Sequence, residues 1–355
     1  MFEHVPAETL KRAMRPPVIY GRHILADILH QVQTAHGAAT YTILTQPEAW
    51  AITREQFTGR DNGHLIYLHS MEHDELSAME TALPPTGLVM GIGGGQAMDV
   101  AKFVAWRRGI PLVLAPTIVS VDAAVTNTIA VREGQRVRYL GFLVANAIPV
   151  DLEIIAQAPK ELNCAGIGDL LSIHTALWDW QQASTAGKDY NAQVATQASK
   201  ILEELDQRAT EIAACSDAAL RFIMDSYVWE NRLCLQVGSS RPEEGSEHYL
   251  GYNLEYITGR SYIHGQLICL CVYAMARLQD NRPQWVRSLI QRAGCPWQLS
   301  ELGIAREAFV QALLTLRDYA SEEAFPNSVI TQRPITRDLA EQLARECEQE
   351  ERERR

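Results

Sequence analysis

The chain has 355 residues, of which 47% are hydrophobic and 21% are charged, and its formal net charge is −11. This composition is typical of a globular protein with one large or two ordinary domains. The acidic balance argues against nucleic acid or an anionic membrane as the main partner, because both are bound through clustered lysines and arginines.

No segment is apolar over the roughly 20 residues that a membrane span needs, since the longest candidate, 267–278, is shorter. The N-terminus has no basic stretch followed by an apolar core, so no signal peptide is predicted. The seven cysteines are widely spread without a C-x-x-C pair, which indicates buried thiols and no cysteine zinc site. We expect a cytoplasmic protein that acts on a small molecule.

The first 116 residues alternate between helical and strand-like patterns. Helices are predicted at 22–35, from Pro47, from Glu72 and at 96–107, and strands at 41–44, 65–68, 88–90 and 111–115. The helix at 96–107 has apolar residues at helical spacing on one face, which suits packing on a sheet. The alternation predicts an open, Rossmann-like parallel sheet with helices on both faces and ligands at the carboxyl ends of its strands.

The pattern changes further along the chain. Two short β-prone pieces between 126 and 150 favour a hairpin. After Asp151 the strand signals stop and successive helical segments follow. We therefore predict an α/β domain at 1–155 and an all-α domain at 156–355, with a ligand cleft between them.

A glycine-rich run follows the predicted strand 88–90. Gly93, Gly94 and Gly95 precede the helix at 96–107, so backbone N–H groups and the positive end of a helix dipole could hold a phosphate. The third glycine of the G-x-G-x-x-G dinucleotide fingerprint is replaced by Gln96. A tight turn without a ligand remains an equal alternative.

A second polar segment follows the strand 111–115. Thr117 and Ser120 offer hydroxyls and Asp122 a carboxylate where a parallel sheet presents its ligand loop. A hydroxyl-rich turn that caps a helix explains the same residues equally well.

Three further residues could bind a metal. Asp169 lies on an apolar stripe near a helix start, while His248 and His264 stand at the entrances of consecutive helices. One carboxylate and two imidazoles suit a divalent transition ion. A helix cap, a buried ion pair and satisfied core histidines are the alternatives, and spacing alone does not decide between them.

Together these segments resemble the superfamily that contains glycerol dehydrogenase, iron-containing alcohol dehydrogenase, sn-glycerol-1-phosphate dehydrogenase and dehydroquinate synthase. Gly93 to Gly95 with Asp99 and Lys102 are similar to its G-G-G-x-x-x-D-x-x-K loop, and the segment Pro116–Asp122 to its P-T-x-x-S-x-D loop. The resemblance is strongest to the glycerol-1-phosphate dehydrogenase branch. Its three metal-ligand motifs correspond here to the segments 168–180, 241–248 and 264–265.

The resemblance implies a dehydroquinate synthase-like fold, NAD or NADP as cofactor, and one divalent metal. The implied ion is zinc, with nickel or iron as alternatives, and its ligands are Asp169, His248 and His264. The implied cofactor residues are Gly93, Gly94, Gly95, Asp99, Thr117 and Ser120, and the implied catalytic residue is Asp122. The implied reaction interconverts dihydroxyacetone phosphate and sn-glycerol 1-phosphate, and a homo-oligomer is expected.

Several positions depart from the family pattern. Gly251-Tyr252 stand where the family often has Ser-His, and Gln266 replaces the glutamate of H-G-E. The substrate could therefore be an unphosphorylated polyol such as glycerol. A cyclase-type lyase like dehydroquinate synthase is a third alternative, disfavoured because no lysine lies at 125–128. Thr45, at the end of the second strand, leaves NAD and NADP open.

Overall fold

The computed structural model describes residues 4–60, 62–185 and 190–348. The strands are β1 (Val18–Gly21), β2 (Tyr41–Thr45), β3 (Gly63–Tyr67), β4 (Val89–Gly93), β5 (Leu112–Pro116), β6 (Ile129–Glu133), β7 (Arg136–Leu140) and β8 (Ile148–Asp151). The helices up to residue 185 are α1 (Ala7–Ala13), α2 (Leu25–His36), α3 (Pro47–Thr53), α4 (His73–Ala82), α5 (Gly95–Arg108), α6 (Leu152–Gln157), α7 (Lys160–Cys164) and α8 (Ile167–Thr185). Those that follow are α9 (Ala192–Ala213), α10 (Asp217–Val237), α11 (Ser246–Thr258), α12 (His264–Gln279), α13 (Pro283–Ala293), α14 (Arg306–Glu322), α15 (Val329–Gln332) and α16 (Arg337–Glu348).

The described chain forms two compact units. One contains the segments 2–163 and Ser216–Arg232, and the other contains Cys164–Cys215 and the chain from Leu233 onward.

The first unit is built on a parallel sheet. Four strands pair in the order β3-β2-β4-β5, and every residue of the three strands β2, β4 and β5 is buried. Residues buried on both faces are typical of a parallel sheet covered by helices. The strand pair β1-β8 joins this sheet through a parallel bridge between Val113 and Ala147. The predicted fold class is confirmed.

Two features of this unit refine the sequence-based expectations. The predicted hairpin is the antiparallel pair β6-β7. The parallel pair β1-β8, with Val18 opposite Ile148, was not predicted, because its partners lie far apart in the sequence and each strand has only four residues.

The second unit is helical, with α12 at its centre. Every residue from Gly265 to Ala276 is buried, as expected for a helix that is apolar all round. Helices α8, α11 and α13 pack against α12, and α14 packs against α11. No helix in the described ranges is long and apolar enough to cross a membrane.

Candidate metal centre and phosphate loop

Three helix starts converge in the helical unit. Asp169 and His248 are the third residues of α8 and α11, and His264 is the first residue of α12. Oδ1 of Asp169 lies 3.2 Å from Nε2 of His264 and 3.9 Å from Nε2 of His248. One ligand atom from each residue lies within 4.8 Å of the other two. The structure thus brings the three predicted ligands together.

Two of these helix starts approach each other closely because a glycine of each lies at the contact. A Cβ on Gly168 would lie 2.7 Å from the carbonyl carbon of Gly265, and closer still to the Cα and carbonyl oxygen of that residue. Gly168 precedes Asp169 and Gly265 follows His264 in the sequence. The absence of a side chain at Gly168 therefore sets the spacing between a carboxylate and an imidazole of the cluster.

The donor set fits a divalent metal. In a tetrahedral zinc site with bonds near 2.0–2.2 Å, neighbouring ligand atoms lie about 3.3–3.5 Å apart. The carboxylate–imidazole distances of 3.2 and 3.9 Å bracket that range. The side chains of His248 and Asp169 are 7% and 6% exposed, whereas that of His264 is 30% exposed, so the cluster opens on one side. An open position is what a substrate oxygen would need.

The charges around the cluster favour a cation. Burial alone would lower the pKa of His248. The hydrogen bond to Glu247 and the negative charges of Glu244, Glu247 and Asp169 outweigh burial and raise this pKa to about 9. A site that holds a proton on an imidazole this firmly also favours a metal ion, which competes with that proton for the same nitrogen.

A second buried carboxylate secures the start of α11. Oδ2 of Asp179 accepts hydrogen bonds from the backbone N–H of Ser246 at 2.8 Å and from its hydroxyl at 2.5 Å, and Oδ1 accepts one from the N–H of Val329 at 2.7 Å. Burial, followed by the charge of Glu247, raises the pKa of Asp179 to about 7 against these hydrogen bonds. Asp179 therefore fixes the helix turn that carries His248, without contacting the imidazole in the described structure.

In the α/β unit, the predicted phosphate loop joins β4 to α5. Gly93 has φ +150°, a conformation that L side chains rarely adopt. A Cβ on Gly94 would lie 2.9 Å from Ile118, and one on Gly95 would lie 2.9 Å from Val121. Glycine at these two positions thus lets the side chains of Ile118 and Val121 pack against the loop. The unpaired N–H groups of the first turn of α5 begin at the same loop, where an anion could bind.

The second predicted loop lies beside the first. The N–H of Thr117 donates to the carbonyl of Gly93 at 2.9 Å, and the two strands β4 and β5 are parallel neighbours. Thr117 and Ser120 are both 5% exposed. Asp122 is half-buried and begins a short 3-10 turn, Asp122–Ala124. Both predicted cofactor loops therefore meet at one edge of the sheet.

Asp99 has a structural partner that sequence reasoning missed. Its carboxylate forms a 2.7 Å ion pair with Lys102, and Oδ1 accepts a hydrogen bond from the N–H of Ala130 at 3.2 Å. The Lys102 ammonium, 1% exposed, also donates to the carbonyls of Thr126 and Thr128. These contacts tie α5 to the start of β6. The i, i+3 spacing of Asp99 and Lys102 was the available signal.

Two glutamines near the glycine loop were also missed. Nε2 of Gln46 donates to Oε1 of Gln96 at 3.1 Å. Gln46 directly follows β2, whose last residue, Thr45, is fully buried. Gln46 is thus the first partly exposed side chain at the carboxyl end of this strand.

Comparison with known proteins agrees with the family resemblance seen in the sequence. A family model described as iron-containing alcohol dehydrogenase matches residues 24–159. The chain is 28% identical over 328 residues to a glycerol-1-phosphate dehydrogenase (NAD(P)+) of Hyperthermus butylicus, covering 90% of this chain and 93% of that protein. It is 29% identical over 277 residues to the enzyme of the same name from Aeropyrum pernix, covering 78% of each chain.

Solved structures show the same fold. An iron-containing alcohol dehydrogenase from Corynebacterium glutamicum superposes with a TM-score of 0.71 at 17% identity, covering 94% of both chains. A glycerol dehydrogenase from Schizosaccharomyces pombe superposes with a TM-score of 0.67 at 19% identity, covering 94% of this chain and 89% of that one.

Proposed function

We propose that this chain is a member of the superfamily that contains iron-containing alcohol dehydrogenase, glycerol dehydrogenase and sn-glycerol-1-phosphate dehydrogenase, and that it is a metal-dependent, NAD(P)-linked oxidoreductase. Its proposed reaction interconverts dihydroxyacetone phosphate and sn-glycerol 1-phosphate. The observation that carries the proposal is the convergence of Asp169, His248 and His264 at three helix starts.

The cofactor would be held by the α/β unit. We propose that the pyrophosphate rests on the N–H groups of Gly93, Gly94 and Gly95 at the start of α5, because these groups and the helix dipole favour an anion. Thr117 and Ser120 would line the neighbouring part of the cofactor site with hydroxyls. Asp99 would contribute indirectly, since its ion pair with Lys102 anchors the helix that begins at the loop.

The metal would be held by the helical unit through Asp169, His248 and His264. A divalent metal there would polarise a ketone oxygen, and bound NAD(P)H would supply the hydride. The protein's own part is to hold the three ligands on buried helix starts and to leave one side open. We propose zinc as the native ion, with nickel or iron as alternatives, and Asp122 as the residue that handles the proton. A homo-oligomer and a cytoplasmic location stay predictions.

The end of β2 suggests that both nicotinamide cofactors are used. A carboxylate at this place accepts a hydrogen bond from the ribose 2′-hydroxyl of NAD and repels the 2′-phosphate of NADP, whereas the neutral amide of Gln46 does not repel a phosphate. Gln46→Asp is therefore expected to lower kcat/KM for NADPH relative to NADH by about 10- to 100-fold. Steady-state rates with both cofactors measure the ratio, and Gln46→Ala is the uncharged control. An unchanged ratio in Gln46→Asp would show that the ribose lies elsewhere.

The identity of the substrate is tested by comparing small ketones. The half-buried Glu244, whose Oε1 accepts a hydrogen bond from Tyr252 at 2.9 Å, places a negative charge near His248. This charge favours an unphosphorylated polyol as the second candidate, since it opposes a phosphate. Initial rates of NAD(P)H loss with dihydroxyacetone phosphate and with dihydroxyacetone separate the two. Because the curated relatives are named glycerol-1-phosphate dehydrogenases, we expect kcat/KM to be at least about 10-fold higher with the phosphorylated ketone. A higher value with dihydroxyacetone would instead support the unphosphorylated polyol.

A further inference from the structure

We propose that Glu247 is a positioning residue for the metal centre: it accepts the Nδ1 proton of His248 and thereby aims Nε2 of that imidazole at the metal. The inference rests on the metal site proposed above. Glu247 itself is not one of the three predicted metal ligands.

The two ring nitrogens of His248 face different partners. Nδ1 lies 3.0 Å from Oε1 of Glu247, and Nε2 lies on the side of Asp169, 3.9 Å from its Oδ1. An ionised carboxylate only accepts hydrogen bonds, so the proton between Glu247 and His248 belongs to Nδ1. With Nδ1 bonded to Glu247, Nε2 is the ring nitrogen that faces the cluster, and it is the atom through which His248 would bind a metal.

Glu247 is itself held in one position. Its Oε1 also accepts the N–H of Gly245 at 2.5 Å, and its Oε2 accepts the hydroxyl of Thr175 at 2.7 Å. The residue is fully buried in the first turn of α11, where the helix dipole favours a negative charge. Donors from α8 and from the start of α11 therefore fix both oxygens, so that the carboxylate cannot turn away without losing buried hydrogen bonds.

The hydrogen bonds of Glu247 also explain how its carboxylate can be fully buried. A fully buried carboxylate opposes folding unless it is hydrogen-bonded or faces a cation, and His248 already lies in the negative field of Asp169 and Glu244. Through His248, the charge of Glu247 would increase the electron density at Nε2 and strengthen a metal bond. Partners of this kind typically change metal affinity by about 10- to 100-fold.

The test measures zinc affinity of the full-length protein by competition with a chromophoric chelator. Glu247→Ala is expected to weaken Zn²⁺ binding by about 10- to 100-fold. Glu247→Gln, whose amide oxygen can still accept the Nδ1 proton, is expected to recover most of that loss. His174→Gln is the control, because this histidine of α8 contacts the backbone carbonyl of Asn281 at 2.8 Å and belongs neither to the ligand cluster nor to the hydrogen bonds of Glu247. It should leave zinc affinity within about 3-fold of the wild type.

A second readout observes the imidazole directly. In metal-free protein labelled with ¹⁵N-histidine, His248 of the wild type and of Glu247→Gln should carry a proton on Nδ1, and zinc should shift the Nε2 resonance. The proposal is overturned if Glu247→Ala binds zinc as tightly as the wild type, or if His174→Gln weakens binding as much as Glu247→Ala. If the wild type binds no zinc, nickel or iron, the metal site itself is wrong, and this inference falls with it.

Discussion

Replacing any one of Asp169, His248 and His264 by alanine is expected to abolish stoichiometric metal binding and to lower kcat/KM by about 10³-fold or more. Each residue supplies one of the three ligand atoms of this cluster, which lie within 4.8 Å of one another, and two of the three side chains are almost fully buried. The remaining pair would bind an ion far more weakly. Removal of Asp169 would also take away the carboxylate oxygen that lies 3.2 Å from the imidazole of His264.

The measurement is metal content per chain after dialysis, determined by mass spectrometry of the bound elements, together with turnover. His174→Gln is the matched control, because this histidine lies on α8 like Asp169 but contacts the carbonyl of Asn281 at 2.8 Å outside the cluster. It should keep its metal. Normal metal stoichiometry in one of the three alanine variants would remove that residue from the set of ligands.

Gly168→Ala is expected to destabilise the folded protein by about 3 kcal/mol and to weaken metal binding. The added methyl group would have to occupy space held by backbone atoms of Gly265, which cannot rotate away as a side chain would. Helices α8 and α12 must therefore separate, and their separation moves Asp169 away from His264. Stability and metal affinity should fall together.

Denaturant unfolding of the metal-free protein gives the stability change, and chelator competition gives the affinity. Gly251→Ala serves as the control, since a Cβ there would lie 3.3 Å from the flexible end of Ile268, within the same helical unit. It is expected to change stability by less than about 1 kcal/mol. Equal effects of the two substitutions would mean that the glycine contact does not set the ligand spacing.

The main elements of the fold could be predicted from the sequence because they depend on local patterns. The glycine run, the strands on both sides of it and the apolar α12 each carry a periodicity or a turn signal. The pairing of β1 with β8 carried no such signal, since it joins residues more than 120 positions apart. Tertiary pairing of this kind is fixed by packing of the whole sheet.

The candidate metal centre could be predicted in part. The residue types and their placement at helix starts indicated Asp169, His248 and His264 as candidate ligands. The family resemblance then implied that the three bind one metal together. The roles of the buried carboxylates Asp179 and Glu247 could not be predicted, because acidic residues are common in helices and the sequence does not show which of them are buried. Only the structure shows that Thr175 of α8 donates to Glu247, and that the backbone N–H groups of Ser246 and Val329 donate to Asp179.

The proposed function is tested most directly by the oxidation of NAD(P)H with dihydroxyacetone phosphate, followed while metal-free protein is titrated with Zn²⁺, Ni²⁺ or Fe²⁺. We expect no turnover without metal. With at least one of these metals, activity should rise to a plateau at one ion per chain and be lost on chelation. The absence of NAD(P)H oxidation in the metal-replete protein, with this ketone and with other small ketones, would contradict it.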